Sequence, residues 1–225
     1  MIILAIGTSG KNCTVAISED KSLIKEININ TGLTHSETLL PNIEKILQET
    51  NLTLNNIDVY AVSIGPGSFT GIRIGVATIK GFCLGCDKPV LAVPSLLALA
   101  YNQSEFDGYI VSCIDAKNDN VYAGIYKKEN GIITQIGDYI TDNINVLVER
   151  INKLDMEYIL VGDGAKLLSK TFSLHDEFEY ASKIAEAAFD LYEQGTVTDG
   201  VHVSPLYLKK SQAERELEAK ESSLK

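Results

Sequence analysis

The sequence lacks two features that would point to particular classes of protein. It has no apolar run approaching the length of a membrane span, so we expect no membrane-spanning segment. It has 20 Lys and Arg residues against 30 Asp and Glu, and no basic cluster offsets the net charge of −10. Because a surface that follows phosphates normally needs excess positive charge, we do not expect the chain to bind nucleic acid unaided.

Residues that build metal sites and nucleophilic centres are also scarce. The three histidines, His35, His175 and His202, are scattered along the chain. Cys83 and Cys86 have the CxxC spacing of redox and zinc sites, but no second CxxC accompanies them. We therefore interpret both cysteines as small apolar residues on a packed helix, and we predict no metal site and no catalytic residue. No Ser–His–Asp arrangement supports peptidase chemistry.

The overall composition is that of a folded cytosolic protein, with 45% hydrophobic and 22% charged residues. A predicted buried strand begins at residue 2, and no basic region comes before it. We therefore expect a cytoplasmic protein without a signal peptide.

The spacing of apolar residues predicts the same order of elements twice along the chain. In each half, three strands are followed by a helix, a further strand and a further helix. In the first half the predicted strands are 2–6, 14–18, 23–29, 57–64 and 90–93, and the helices are 36–50, 70–85 and 96–101. In the second half the predicted strands are 109–115, 121–126, 132–139 and 158–161, and the helices are 144–151 and 182–195.

A repeated β-β-β-α-β-α unit implies an α/β protein with two related lobes, each built on a mixed sheet, and a cleft between them. We place the N-terminal lobe at residues 1–103 and a smaller C-terminal lobe at 104–208. Residues 209–225 are charged and show little apolar periodicity, so we interpret them as a solvated tail.

A glycine-rich loop joins the fourth predicted strand to the next helix. Backbone N–H groups exposed at a helix start favour an anion, so the loop is a candidate phosphate cradle. A tight turn that lets the helix lie close to the sheet would need the same glycines, and both interpretations stay open. The candidate phosphate-facing residues are Gly65, Gly67, Ser68, Thr70 and Gly71.

The helix after this loop carries apolar residues in nearly every direction, which requires burial on more than one side. Either the helix is internal to the lobe, or one face of it packs against a partner. We adopt the second interpretation and add the neighbouring helix 36–50. The predicted interface residues are Leu39, Leu40, Ile43, Leu47, Ile72, Ile74, Val76 and Ile79.

Several segments together resemble the TsaB family. The longest is the run from Gly65 to Gly81, GPGSFTGIRIGVATIKG. Shorter pieces are ILAIGTS at 3–9, HSETLLP at 35–41, PSLLALA at 94–100, DAK at 115–117 with VY at 121–122, and PLYLK at 205–209.

The resemblance implies two lobes of the actin, Hsp70 and sugar-kinase architecture and a non-catalytic role in tRNA threonylcarbamoyladenosine formation. In that family TsaB pairs with its paralogue TsaD through the two helices of its first lobe, and TsaE is a third component. The resemblance therefore implies ATP and a divalent metal in partner subunits, no cofactor on this chain, and tRNA contact only within the complex. We further expect a homodimer when the chain is alone.

One position departs from the family pattern, because Gly7 stands where the family usually has an aspartate before Thr-Ser. Actin-like ATPases use an acidic group at this strand end to position Mg²⁺, so only Asp115, at the equivalent end of the second lobe, is left for that role. The alternatives to an assembly subunit are a stand-alone actin-like ATPase or kinase and a homo-oligomeric binding protein without a tRNA role. The missing carboxylate counts against the first of these.

Overall fold

The computed structural model describes residues 1–168 and 177–209, which form nine strands and five α-helices. The strands are β1 (Ile2–Gly7), β2 (Cys13–Glu19), β3 (Ser22–Ile29), β4 (Val59–Ser63), β5 (Val90–Val93), β6 (Tyr109–Asp115), β7 (Val121–Glu129), β8 (Ile132–Ile140) and β9 (Tyr158–Val161). The helices are α1 (His35–Thr50), α2 (Phe69–Gly85), α3 (Ser95–Tyr101), α4 (Ile144–Ile151) and α5 (Ala181–Glu193).

The first sheet has five strands in the order β3-β2-β1-β4-β5. β2 runs antiparallel to both of its neighbours, whereas β1, β4 and β5 are parallel, so the sheet is mixed. β1 and β4 lie in the middle of the sheet and are buried along almost their whole length. Burial on both faces explains why these strands read as continuous apolar runs rather than alternating patterns.

The second sheet repeats this arrangement with one strand fewer, in the order β8-β7-β6-β9. β6 pairs antiparallel with β7 and parallel with β9, as β1 does with β2 and β4. The two lobes are therefore both mixed α/β units with the same strand order, which confirms the fold class predicted from the sequence.

Helices cover both faces of each sheet and build the cores. α1 and α2 pack on the outer face of the first sheet, around Leu4, Ile6 and Val62. α3 and α5 lie on its inner face, and their core continues into the second sheet through Ile110 and Tyr126. α4 covers the far face of the second sheet. No helix in the described part of the chain is both long and apolar enough to cross a bilayer.

The last helix, α5, lies away from the second sheet that precedes it in sequence. It packs across β1, β2, β4 and β5 of the first sheet and against α3, although the sequence division at residue 103 assigns it to the second lobe. The chain therefore returns to the first lobe, and one core holds residues from both halves.

The helix predicted at 36–50 is present as α1, with Thr34 at its N-cap. The Thr34 backbone N–H donates to the Glu37 carboxylate at 3.0 Å, the reciprocal half of a capping box. α1 contains Pro41 in its interior, six residues after its first residue, His35. His175 and residues 210–225 of the predicted tail lie outside the described residues.

Candidate functional site

The glycine-rich loop lies directly against the end of β1. The Ser68 backbone N–H donates to the Ser9 carbonyl at 2.7 Å. A Cβ placed on Gly67 would lie 2.4 Å from that same carbonyl oxygen, and a Cβ on Gly71 would lie 2.0 Å from the carbonyl oxygen of Thr8. Both contacts are with backbone, which cannot move aside, so these positions require glycine.

The remaining predicted loop residues fix the start of α2. The Ser68 hydroxyl accepts a hydrogen bond from the Gly71 N–H at 3.2 Å, which is an N-cap. Gly65 has a φ of +107° and faces Ile72 closely, while Thr70 is exposed. Close packing thus accounts for the glycines. Two of the loop's backbone N–H groups, those of Ser68 and Gly71, already donate to acceptors within the protein. Phosphate binding by the loop stays a prediction.

A small cavity of about 50 Å³ lies next to the loop after β1, between the two lobes. Its lining comes from the loop after β1, from α3, from the ends of the second-lobe strands and from the segment before α5. The lining residues are Ser9, Gly10, Lys11, Asn12, Ser95, Leu99, Ile114, Asp163, Glu177, Phe178 and Glu179.

Glu179 is a buried carboxylate at the wall of this cavity, with only 6% of its surface exposed. Its Oε1 accepts hydrogen bonds from the Ser9 hydroxyl at 2.6 Å and from the Ser9 N–H at 3.2 Å, and its Oε2 accepts from the Ser63 hydroxyl at 2.7 Å. Ser95 lies 2.8 Å from the Ser63 hydroxyl and extends the cluster. Burial raises the pKa of Glu179, and the serine donors oppose that rise only in part.

The position of Glu179 corrects the expectation that Gly7 leaves the β1 end without a carboxylate. A Cβ on Gly7 would lie 3.2 Å from Glu179 Oε1 and 2.7 Å from the Thr14 methyl carbon. The acid therefore occupies the space beside the strand end, and it is supplied by the segment before α5. Sequence inspection missed it, because a single acidic residue before a helix is typical of any helix N-terminus.

The acids of the second lobe are also held by internal partners. Asp115 accepts hydrogen bonds from the Lys117 N–H at 2.7 Å and from the Lys117 ammonium at 2.6 Å, and these bonds lower its pKa. Asp163 accepts from the Asp115 N–H at 2.9 Å, and burial raises the Asp163 pKa. Within residues 1–168 and 177–209 no three His, Cys, Asp or Glu side chains are grouped so that they could hold a metal ion.

The structure divides the predicted interface residues into two groups. Five of them are buried in the core of the first lobe and are not accessible to a partner; these are Leu39, Ile43, Ile72, Val76 and Ile79. Leu40 is 54% exposed, and Leu47 and Ile74 are partly buried. The periodicity had marked mainly the inward side of each helix, since that is where the large apolar residues repeat.

The outward side of α2 combines small residues with a few large ones. Thr70, Arg73, Ala77, Gly81 and Leu84 are exposed and follow one another at intervals of three or four, so they lie along one face. We call these five residues, with the partly buried Ile74, the outer stripe. Leu84 is 91% exposed, which is unusual for so large an apolar side chain.

Two mixed sheets with one shared strand order, helices on both faces and an interlobe cavity define the class: a two-lobed protein of actin-like fold. The family model described as "TsaD: tRNA N6-adenosine threonylcarbamoyltransferase" matches residues 30–221.

Curated relatives resemble the chain over most of its length. The TsaB protein of Bacillus subtilis is 31% identical over 74% of this chain and 73% of its own length. The TsaB protein of Buchnera aphidicola from Schizaphis graminum is 34% identical over 78% of this chain and 85% of its own. A Pseudomonas aeruginosa crystal structure, described as similar to the peptidase YEAZ, superposes with a TM-score of 0.80 at 24% identity, over 92% of this chain and 99% of that one. The chain belongs to the TsaB family, within the group that the TsaD model describes.

Proposed function

We propose that the chain is a non-catalytic assembly subunit of the complex that forms threonylcarbamoyladenosine in tRNA. It would pair with a TsaD-like paralogue and support threonylcarbamoyl transfer there. Family membership supports the biosynthetic role, since the TsaB relatives carry the name of this biosynthesis. The observation that carries the pairing is the outer stripe, an exposed row of small and apolar residues on α2.

The outer stripe suits helix packing against a partner. Ala77 and Gly81 have little or no side chain, so the backbone of a second helix could approach α2 closely at these positions. Ile74 and Leu84 add apolar contact area. Leu40 of the neighbouring α1 extends the surface. An exposed apolar patch of this kind is typical of an interaction site. The same surface would serve a homodimer when the chain is alone.

The cleft supports the non-catalytic part of the proposal. Glu179 is held by serine donors, and Asp115 is held by Lys117. The oxygens of both carboxylates are thus engaged by internal donors. In this proposal ATP, a divalent metal and the transfer chemistry belong to partner subunits, a TsaE-like ATPase is a further component, and tRNA meets the chain only within the cytoplasmic complex.

A stand-alone ATPase or kinase is the second candidate, and one observation favours it. Lys11 lines the interlobe cavity, where its ammonium could face the phosphate group of a small ligand. Phosphate release by the purified chain, measured with and without added Mg²⁺, separates this candidate from an assembly subunit.

The pairing is tested with Ala77→Glu on the outer stripe. A glutamate at position 77 would place a bulky charged side chain where a partner helix must approach closely, and it would compete for Arg73, which lies one turn away on the same face. Association should therefore weaken by on the order of 3 kcal/mol, which is roughly a hundredfold in Kd. Light scattering after size exclusion would measure the mass of the chain with and without the cognate TsaD-like paralogue. Ile136→Glu is the matched control, because Ile136 is also an exposed apolar residue but lies on β8 of the second lobe. If Ala77→Glu remains folded and pairs like the wild type, the interface lies elsewhere.

A further inference from the structure

Arg73, on the outer stripe, is held in place by the rings of Phe69 and Tyr207 and by the Tyr207 hydroxyl. Its Nε donates to the Tyr207 hydroxyl at 2.7 Å. The Tyr207 ring stacks on Phe69 with 4.6 Å between the ring centroids and 8° between the planes. The guanidinium carbon lies 5.5 Å from the Tyr207 centroid and 5.7 Å from the Phe69 centroid. The side chain is thus oriented although it is exposed.

Within residues 1–168 and 177–209, no side chain engages the two terminal nitrogens of this guanidinium. Among the residues that the structure describes, Arg73 forms no ion pair, and its one side-chain hydrogen bond uses Nε. α2 contains no acidic residue that could pair with it. The chain has a net charge of −10, so an oriented arginine that meets no carboxylate among the described residues is unusual. A guanidinium presents parallel N–H donors that match a carboxylate in a two-pronged contact.

Lys80 shows that α2 carries a second cation of the same kind. Its ammonium donates to the Val201 carbonyl at 2.8 Å, and no carboxylate lies within ion-pairing distance in the described residues. Lys80 follows Arg73 by seven residues, so the two are about 10 Å apart along the helix axis. The helix therefore offers positive charge at two points on a surface that is otherwise small and apolar.

We propose that Arg73 is a partner-binding residue that grips an Asp or Glu side chain of the protein that docks on the outer stripe. Phe69 and Tyr207 are positioning residues, since they orient the guanidinium before the partner arrives and so reduce the entropy lost on binding. This inference rests on the proposed function for the location of the interface and adds the chemistry of recognition.

A protein carboxylate fits this surface better than a nucleic acid phosphate does. The guanidinium fork would accept either anion. However, Ile74 and Ala77 lie directly beside Arg73, and an apolar surface matches a protein helix rather than a phosphate backbone. The net charge of −10 also repels a polyanion.

The test is isothermal titration of the full chain with the purified cognate TsaD-like paralogue, at two salt concentrations. Arg73→Gln should raise Kd by about tenfold or more, and Arg73→Lys nearly as much, because an ammonium cannot form the fork. Tyr207→Phe should raise Kd by only about threefold and keep the salt dependence of the wild type, whereas Arg73→Gln should lose part of that dependence. Lys127→Gln is the matched control, because Lys127 also lies over a ring, 5.5 Å from that of Tyr109, in the second lobe.

The outcomes separate this inference from the proposed function. If the wild type binds the paralogue and folded Arg73→Gln binds within twofold of it, the inference is overturned and the pairing stands. If Arg73→Gln leaves the pairing intact but weakens tRNA binding by the complex, the anion is a phosphate and the carboxylate assignment is wrong. If the wild type does not bind the paralogue, sedimentation equilibrium of the chain alone decides. Self-association weakened by Arg73→Gln then supports the inference, and unchanged or absent self-association overturns it.

Discussion

Replacing Glu179 by glutamine keeps the shape of the side chain and removes its charge. In the wild type the carboxylate accepts from the Ser9 N–H and from the Ser9 and Ser63 hydroxyls. A glutamine carbonyl can accept the two bonds from Ser9, and the Ser63 hydroxyl can rotate to accept from the new amide. The substitution therefore isolates the effect of burying a charge.

The direction of the effect follows from the raised pKa of Glu179. The folded state keeps the proton at pH values where the unfolded chain, with a pKa near 4.5, has released it. The wild type thus has its full stability below the unfolded pKa and loses some of it as pH rises through the higher folded pKa. The Glu179→Gln variant does not titrate at this position. Its unfolding free energy relative to that of the wild type should therefore rise with pH, by about 1.4 kcal/mol for each pH unit between the unfolded and folded pKa values of Glu179.

Glu179→Ala should behave differently and destabilise the protein at every pH. It leaves the Ser9 N–H and the Ser9 hydroxyl without an acceptor, whereas Ser63 can still donate to Ser95; at about 1 kcal/mol for each lost bond, the cost is roughly 2 kcal/mol before any cavity is counted. Urea unfolding followed by circular dichroism between pH 4.5 and 8 measures all three proteins, with Glu149→Gln as an exposed control on α4. A difference between the glutamine variant and the wild type that does not change with pH would refute the reasoning.

Three further predictions concern the loop and the cleft. Gly71→Ala places a Cβ 2.0 Å from the Thr8 carbonyl oxygen and should cost more than about 2 kcal/mol of unfolding free energy, whereas Gly81→Ala, in open space on the same helix, should gain roughly 0.5–1 kcal/mol. Equal urea midpoints for the two variants would contradict this. Ser68→Ala removes the N-cap of α2 and should cost about 1 kcal/mol in the same assay, and no change would show that the cap is dispensable. The isolated chain should release no phosphate from ATP, and steady turnover that Asp115→Asn abolishes would overturn this expectation.

Most of the fold follows from the sequence, because strands and helices leave local signals. The continuous apolar runs at β1 and β4 and the short turns between strands fix the order of elements in each lobe. Since the order repeats, two related mixed sheets could be predicted. The packing of α5 on the first sheet could not, because nothing in its own periodicity tells which sheet it covers.

The site was less predictable, because its contacts join distant segments. Glu179 meets Ser9 across 170 positions of sequence, and its serine partners are residues that any loop might contain. The sequence pattern points to the inward sides of α1 and α2 as the interface, because the large apolar residues repeat there. The small residues of the outer stripe, such as Ala77 and Gly81, leave almost no signal of an interface in the sequence, since small residues are compatible with both burial and exposure.

The glycines of the loop illustrate the same limit. Their spacing is compatible with a phosphate cradle and with a tight turn, since both need backbone without side chains. Only the approach of Gly67 and Gly71 to the backbone of Thr8 and Ser9 shows that close packing requires them.

Threonylcarbamoyl transfer to tRNA in a reconstituted mixture tests the assembly role most directly. The mixture would contain the cognate TsaD-like paralogue, the TsaE-like ATPase, ATP, tRNA and a threonylcarbamoyl-adenylate source, with or without this chain. We predict that sustained transfer requires the chain, falls towards background with Ala77→Glu, and continues with Asp115→Asn. Full transfer without the chain, or its loss in folded and pairing-competent Asp115→Asn, would contradict a non-catalytic assembly subunit.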